Sequence, residues 1–179
     1  MLLLNSMLQN VPIMSLRNGQ LLGETTDFVI NPANLKIVAF KCTINNSKQP
    51  LFLLNQDIRD MSDNKIFIND YEVLSEAKDL IRLKELIDLK FIIVGKMVVT
   101  KTKQKLGKVK EFSVDNTSLF LQKLYIAQPI YKNIYGGQLI IDRNQIVEVT
   151  NTQIIVKDIL QPTKLKTVIS TVGSVTGVV

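Results

Sequence analysis

Few residues of this chain could carry out chemistry. The 179 residues include no histidine and one cysteine, Cys42. Histidine is the commonest general base and a frequent zinc ligand, and a single thiolate cannot form a zinc cluster. An enzyme built from this sequence would have to work with carboxylates and lysines alone. We therefore expect a protein that is not an enzyme, with no catalytic residue, bound metal or cofactor.

Cys42 lies between the apolar residues Phe40 and Ile44. This setting predicts a buried, small hydrophobic side chain and not a reactive thiol. One cysteine cannot form an internal disulfide, so we expect the cytoplasm or an equivalent reducing compartment, the plastid stroma included.

Motifs for binding calcium or phosphate are incomplete. The acidic stretch "DIRDMSDN" lacks the glycine and the closing glutamate of a calcium loop. No GxxxxGK[ST] phosphate loop occurs, and the Gly136-Gly137 pair of "YGGQL" predicts a turn. These patterns therefore do not predict a bound ligand.

Lysines form the most distinctive cluster. The net charge is +6, and residues 92–179 hold twelve Lys and Arg against five Asp and Glu, a local charge of +7. Five lysines surround one predicted hairpin: Lys101, Lys103, Lys105, Lys108 and Lys110. Two interpretations stay open: lysines that protect a sheet edge from aggregation, or a contact for an acidic protein, nucleic acid or anionic lipid.

Tyrosines near this hairpin bear on that choice. Tyr131 and Tyr135 lie in an inserted loop and are further candidates for partner contact. Proteins that bind single strands interleave aromatic with basic residues, whereas Phe112 and Phe120 fall on predicted core positions. Nucleic acid is therefore only weakly supported, and an exposed tyrosine pair would strengthen it.

The element that must position these residues occurs twice. An offset of 84 aligns Leu22-Gly23 with Leu106-Gly107 and Phe28 with Phe112, and an offset of 88 aligns Leu51 with Leu139. Each copy predicts about five short strands separated by turns, which favours a small barrel because closure removes unpaired edges. Gly23 and Gly107 are predicted at points where a strand bends or another backbone approaches closely, and Phe28 and Phe112 in the core.

Four segments follow from this repeat. Repeat 1 covers residues 8–70, a helical linker 71–91, repeat 2 residues 92–160, and a carboxyl-terminal tail 161–179. The linker predicts a helix over roughly 76–88, capped by Ser75, with Ala77, Leu80, Ile81, Leu83 and Ile87 on its apolar side. No apolar run approaches the roughly 20 residues of a membrane-spanning helix, so we expect a soluble protein.

The repeated pattern resembles the PRC-barrel family. The second copy, "IVGKMVVTKTKQKLGKVKEFSVDNTSLFLQKLYI", is similar to the opening of that domain: a glycine, Val-Val, a hairpin, Leu-Gly-x-Val and Phe-x-Val-Asp. The first copy keeps Leu-Gly, Asp-Phe-x-Ile and an Asn-Pro turn, with Val11 taken as the equivalent of Gly95. The resemblance implies a mainly β protein: two tandem small PRC-like β-barrels joined by a short α-helix.

The family is known from the cytoplasmic domain of the photosynthetic reaction-centre H subunit and the carboxyl-terminal domain of the ribosome maturation factor RimM. The resemblance implies a non-enzymatic adaptor in a larger complex, photosynthetic or membrane-associated. With the lysine cluster, we expect its partner to be an acidic protein or a multiprotein complex. Peripheral membrane contact stays open. The alternative is a ribosome- or RNA-associated maturation factor of the RimM type, although "DLKFIIVG" has Phe91 where that factor has a tyrosine pair. A carboxylate-based enzyme is the third hypothesis.

Overall fold

The computed structural model describes residues 1–45, 47, 49–127 and 139–158, and these are mainly β, as predicted. In the first half the strands are β1 (Leu2–Leu4), β2 (Pro12–Ser15), β3 (Leu21–Asn31), β4 (Lys36–Ile44), β5 (Leu51–Leu54), β6 (Ile58–Ser62) and β7 (Lys65–Ile68). In the second half they are β8 (Met97–Thr100), β9 (Lys105–Asp115), β10 (Leu121–Ala127), β11 (Leu139–Asp142), β12 (Ile146–Val149) and β13 (Gln153–Val156). One α-helix, α1 (Ile81–Leu89), lies between them.

The two halves share one strand order. The first sheet runs β5-β4-β3-β2-β7-β6, and the second runs β11-β10-β9-β8-β13-β12, with β1 added beside β9. Each contains one parallel pair, β2 with β7 and β8 with β13, and the other pairs are antiparallel. The repeat seen in the sequence is therefore a repeat of topology. Both paths are open in their hydrogen bonding, so the arrangement as two barrels stays a prediction.

Alternating burial explains why these segments form strands. Lys65–Ile68 and Gln153–Val156 each bury every second residue, as expected for strands with one face on a core. The two longest strands, β3 and β9, each contain the Leu-Gly pair, and their pairing with β2 or β8 shifts register there.

The linker differs from its prediction in its first turn. Ser75 does not cap the helix; its backbone N–H and C=O pair with those of Phe52, at 3.0 and 2.8 Å. A 3₁₀ turn covers Ala77–Asp79, and α1 begins after its N-cap, Leu80, and ends at Lys90 in the left-handed conformation. Ile81, predicted on the apolar side, is 81% exposed. A long-range backbone pairing of Ser75 thus replaced the local capping interaction.

The halves meet through reciprocal contacts. The N–H of Ile37 donates to the carbonyl of Leu119, and the N–H of Leu121 donates to the carbonyl of Leu35, both at 2.9 Å. The offset of 84 converts each of these hydrogen bonds into the other. Phe28 and Phe112, also equivalent, meet edge to face with ring centroids 5.9 Å apart. The interface therefore has the self-complementarity of a twofold dimer within one chain.

A single cluster of buried apolar side chains extends through both halves, from Leu3 to Val156. Its largest fully buried members include Phe40 and Phe112. None of the helices in the described ranges is long and apolar enough to cross a membrane.

Candidate functional site

The predicted lysine hairpin is formed by β8, a turn and β9. Lys101 and Lys103 are exposed in the turn. Lys103 has a φ of 64°, close to the 70° of its counterpart Gly19. The turns differ in length, because four residues separate Ser15 from Gln20 and three separate Thr100 from Gln104. The backbone N–H of Lys101 donates to the carbonyl of Val156 and ties the turn to β13.

A β-bulge aligns the remaining three lysines. Lys105 is opposite Val99 and Gly107 is opposite Val98, so β9 has one extra residue, Leu106, at this point. The extra residue is buried, and Lys105, Lys108 and Lys110 all lie exposed. Without the bulge, residues three apart in a strand would point to opposite faces. We call Lys101, Lys103, Lys105, Lys108 and Lys110 the lysine face.

The lysines do not oppose each other across the strand pair. Lys108 is opposite Met97 on one side and Ala127 on the other, and Lys105 is opposite Val99. The like charges are spaced along one strand and its turn. Their mutual repulsion is therefore weaker than that of directly facing lysines.

Charge pairing distinguishes the two halves. In the first half, Arg17 at the hairpin contacts Asp70 at 3.0 Å. Two groups hold the pKa of Asp70 below its ordinary value: the N–H of Tyr71, which has the larger effect, and the Arg17 guanidinium. In the second, the Thr102 hydroxyl donates to the equivalent Asp158 at 2.8 Å and lowers its pKa, with a smaller contribution from the charge of Lys101.

Three other lysines of the face have no carboxylate partner among the described residues. Within the described ranges, Lys103, Lys108 and Lys110 form no ion pair with a carboxylate. Their counterparts in the first half are Gly19, Glu24 and Thr26. The second half therefore presents positive charge where the first presents none.

Two phenylalanines of the second half are not available for stacking, whereas Tyr125, opposite Glu111, is half-buried. Phe112 is 1% exposed. The ring of Phe120 lies 4.3 Å from the guanidinium of Arg143 and 5.2 Å from the Lys36 amino group. Tyr131 and Tyr135 lie outside the described residues, as does the tail, 161–179.

The two repeated glycines lie within strands at close backbone contacts. A Cβ on Gly23 would stand 2.1 Å from the carbonyl oxygen of Thr43, and one on Gly107 would stand 2.2 Å from that of Ala127. Gly107 also has a φ of +148°. Both glycines have a structural role here.

The amino-terminal alignment of the copies requires a correction. Asn10, not Val11, corresponds to Gly95: their N–H groups donate to the equivalent carbonyls of Thr25 and Val109, and both have positive φ, 56° and 89°. The offset before β2 is therefore 85. The backbone conformation shows this one-residue shift, which the pattern of apolar residues does not indicate.

No cluster of three His, Cys, Asp or Glu side chains that could hold a metal occurs among the described residues. Cys42 is fully buried, as predicted, and burial raises the pKa of its thiol to about 12. The thiol therefore stays protonated at neutral pH and is a poor nucleophile.

A groove is lined by Phe28 and Phe112 and by none of the other predicted site residues. It encloses about 570 Å³ between β3 and the segment from α1 to Val94. Apolar residues form most of its wall, among them Phe28, Ile30, Leu86, Ile87, Ile92 and Phe112. We call it the β3 groove. Sequence reasoning missed it because it depends on how α1 lies against β3.

No family model matches the chain, and no curated protein is significantly similar to it.

Proposed function

We propose that this chain is a non-enzymatic assembly module, an adaptor in a larger complex, and that it binds an acidic protein through the lysine face. One observation carries the proposal: the bulge in β9 aligns lysines on an exposed surface, and Lys103, Lys108 and Lys110 form no ion pair within the described ranges. Unpaired charges on one surface attract an oppositely charged partner and accelerate its association.

We further propose that each half is a PRC-like barrel, over 8–70 and 92–160, with α1 between them. The shared order of six strands supports this proposal. So does the recurrence of a bulge and a glycine at the same point of β3 and β9.

An acidic protein fits this surface better than RNA does. Binding of single-stranded RNA relies on aromatic rings on which bases can stack. Of the described rings in this half, Phe112 is buried, Phe120 is covered by cations, and Tyr125, opposite Glu111, is half-buried. We therefore treat RNA as the alternative outcome of the experiment.

Affinity capture from native lysate tests the proposal, with two variants of equal charge change. Lys108→Glu with Lys110→Glu alters the lysine face, and Lys65→Glu with Lys84→Glu alters exposed lysines elsewhere. We expect the wild type and the second variant to retain an acidic protein that the first variant loses. Capture should weaken with added salt, since the Debye length falls from about 10 Å at 0.1 M to about 3 Å at 1 M.

Equal capture of the same protein by both variants would contradict the proposal. Retention of ribosomal subunits, abolished by ribonuclease, would favour the RNA-associated alternative.

A further inference from the structure

The amino-terminal strand covers one edge of the second half and has no equivalent in the first. β10 pairs along one edge of β9, and β8 takes the lower part of the other edge, up to Lys108. β1 continues that second edge, with Leu2, Leu3 and Leu4 opposite Asp115, Val114 and Ser113. The Asn5 side chain extends the contact by accepting a hydrogen bond from the N–H of Phe112 at 2.9 Å.

No strand pairs with the equivalent edge of β3 in the described chain, and the N–H of Phe28 donates instead to the Asp27 carboxylate at 2.8 Å. β4 pairs along one edge of β3, and β2 takes the other only as far as Glu24. Asn31 accepts from the N–H of Leu35 on the β4 side, so the backbone groups of Ile30 point the other way. They point towards the β3 groove, which Ile30 lines.

The chain's own sequence explains why this edge stays open. The offset of 85 makes Ile87, Asp88 and Leu89 the equivalents of Leu2, Leu3 and Leu4. Leu3 is 8% exposed, so a strand formed by the equivalent segment would bury the Asp88 carboxylate at that position. Burying an unpaired charge is costly, and the segment instead forms the last turn of α1 with Asp88 exposed.

We propose that the open edge of β3, from Phe28 to Asn31, binds an extended apolar segment of a partner protein as an added antiparallel strand. The segment has the chemistry of Leu2–Leu4: uncharged, with a large aliphatic side chain at its centre. Strand addition to a free edge is an established mode of peptide recognition, in which backbone hydrogen bonds give affinity and side-chain pockets give specificity.

The surroundings of the groove suit such a segment. Its volume of about 570 Å³ is within the usual range for ligand sites of roughly 300 to 1,000 Å³. The charged residues at its wall, Asp27, Lys41 and Lys90, include a facing opposite pair, because Asp27 and Lys41 are cross-strand neighbours. The site is separate from the lysine face, so its test is independent of the proposed acidic partner.

Amide hydrogen exchange of the full chain tests the proposal, with a synthetic peptide of residues 1–10, MLLLNSMLQN, as the probe. In the free protein the amide of Ile30 should exchange faster than that of its equivalent, Val114, which β1 covers. Excess peptide should slow exchange at Ile30 by about tenfold or more and leave Val114 unchanged. The matched control peptide, MLDLNSMLQN, reproduces Asp88 at the central position and should give no protection.

Asp88→Leu provides a second test within the chain. Removing the carboxylate allows residues 87–89 to cover β3 themselves, so this variant should protect Ile30 without peptide and bind the peptide less tightly.

Three results would overturn the proposal. The first is unchanged exchange at Ile30 with excess peptide. The second is equal protection by the control peptide. The third is protection of Ile30 in the free wild type that grows with protein concentration, which would assign the edge to a second copy of the chain.

Discussion

Among the described glycines, Gly107 and Gly23 leave the least room for a side chain. The Cβ of Gly107→Ala would stand 2.2 Å from the carbonyl oxygen of Ala127, a backbone atom that cannot rotate away. We expect this variant and Gly23→Ala each to destabilise the protein by about 1 to 3 kcal/mol, measured as a lowered midpoint of urea unfolding.

Gly95→Asn is the matched control. Gly95 has open space around its Cβ position and a positive φ that Asn10 adopts in the other copy. Asparagine tolerates this conformation, so its cost should stay below about 1 kcal/mol. A Gly107→Ala midpoint equal to that of the wild type would contradict the steric argument.

Asp115 makes stability depend on pH on the acidic side. The N–H and the hydroxyl of Ser118 both donate to its carboxylate at 2.8 Å, and they hold its pKa below the ordinary value. A lowered pKa stabilises the folded state above the unfolded value of about 3.9, and this stabilisation is lost as the pH falls through the folded value. The melting temperature of Asp115→Asn should therefore decrease less than that of the wild type between about pH 5 and pH 2.

Glu148→Gln, at an exposed strand position, should keep the wild-type slope. Parallel curves for the wild type and Asp115→Asn would show that the Ser118 contacts do not stabilise the ionised carboxyl group.

Among the secondary-structure elements, strands were predictable where apolar and polar residues alternate. They were not predictable where tertiary contacts determine the conformation. The pattern of Gln153–Val156 predicts its strand, but three consecutive leucines in β1 show no alternation. Of the linker helix predicted over roughly 76–88, the structure has an α-helix only over Ile81–Leu89, and Ser75, the predicted cap, pairs with distant Phe52. Likewise the lysine cluster is visible in the sequence, but the bulge that aligns Lys105 with Lys108 is not.

The edge-to-face pair of Phe28 and Phe112 couples β3 to β9. Aromatic pairs of this kind contribute about 0.5 to 1.5 kcal/mol beyond their buried area. In a double-mutant cycle of Phe28→Leu and Phe112→Leu, we expect a coupling energy of that size, from urea unfolding. Phe40→Leu with Phe112→Leu is the control, because no ring contact between these two occurs in the described chain. Additive effects at the first pair would contradict the coupling.

For the whole molecule, the shared core predicts one unfolding transition. Buried apolar residues of both halves form one cluster, and backbone hydrogen bonds join β4 to the turn before β10. Unfolding either half would expose part of the other half's core. Circular dichroism and tyrosine fluorescence should therefore give the same urea midpoint. Two separated transitions would show that the halves fold independently.

The reciprocal hydrogen bonds of Leu35, Ile37, Leu119 and Leu121 also bear on the origin of the protein. A single half has, in itself, both partners needed to form this contact with an identical copy. The present chain thus has the contacts of a symmetric dimer whose two copies are covalently joined. Fusion replaces dilution-sensitive association with a high effective concentration. It also removes the requirement that the halves be identical, and they differ in the lysines of one hairpin and in the strand β1, which covers β9 but not β3.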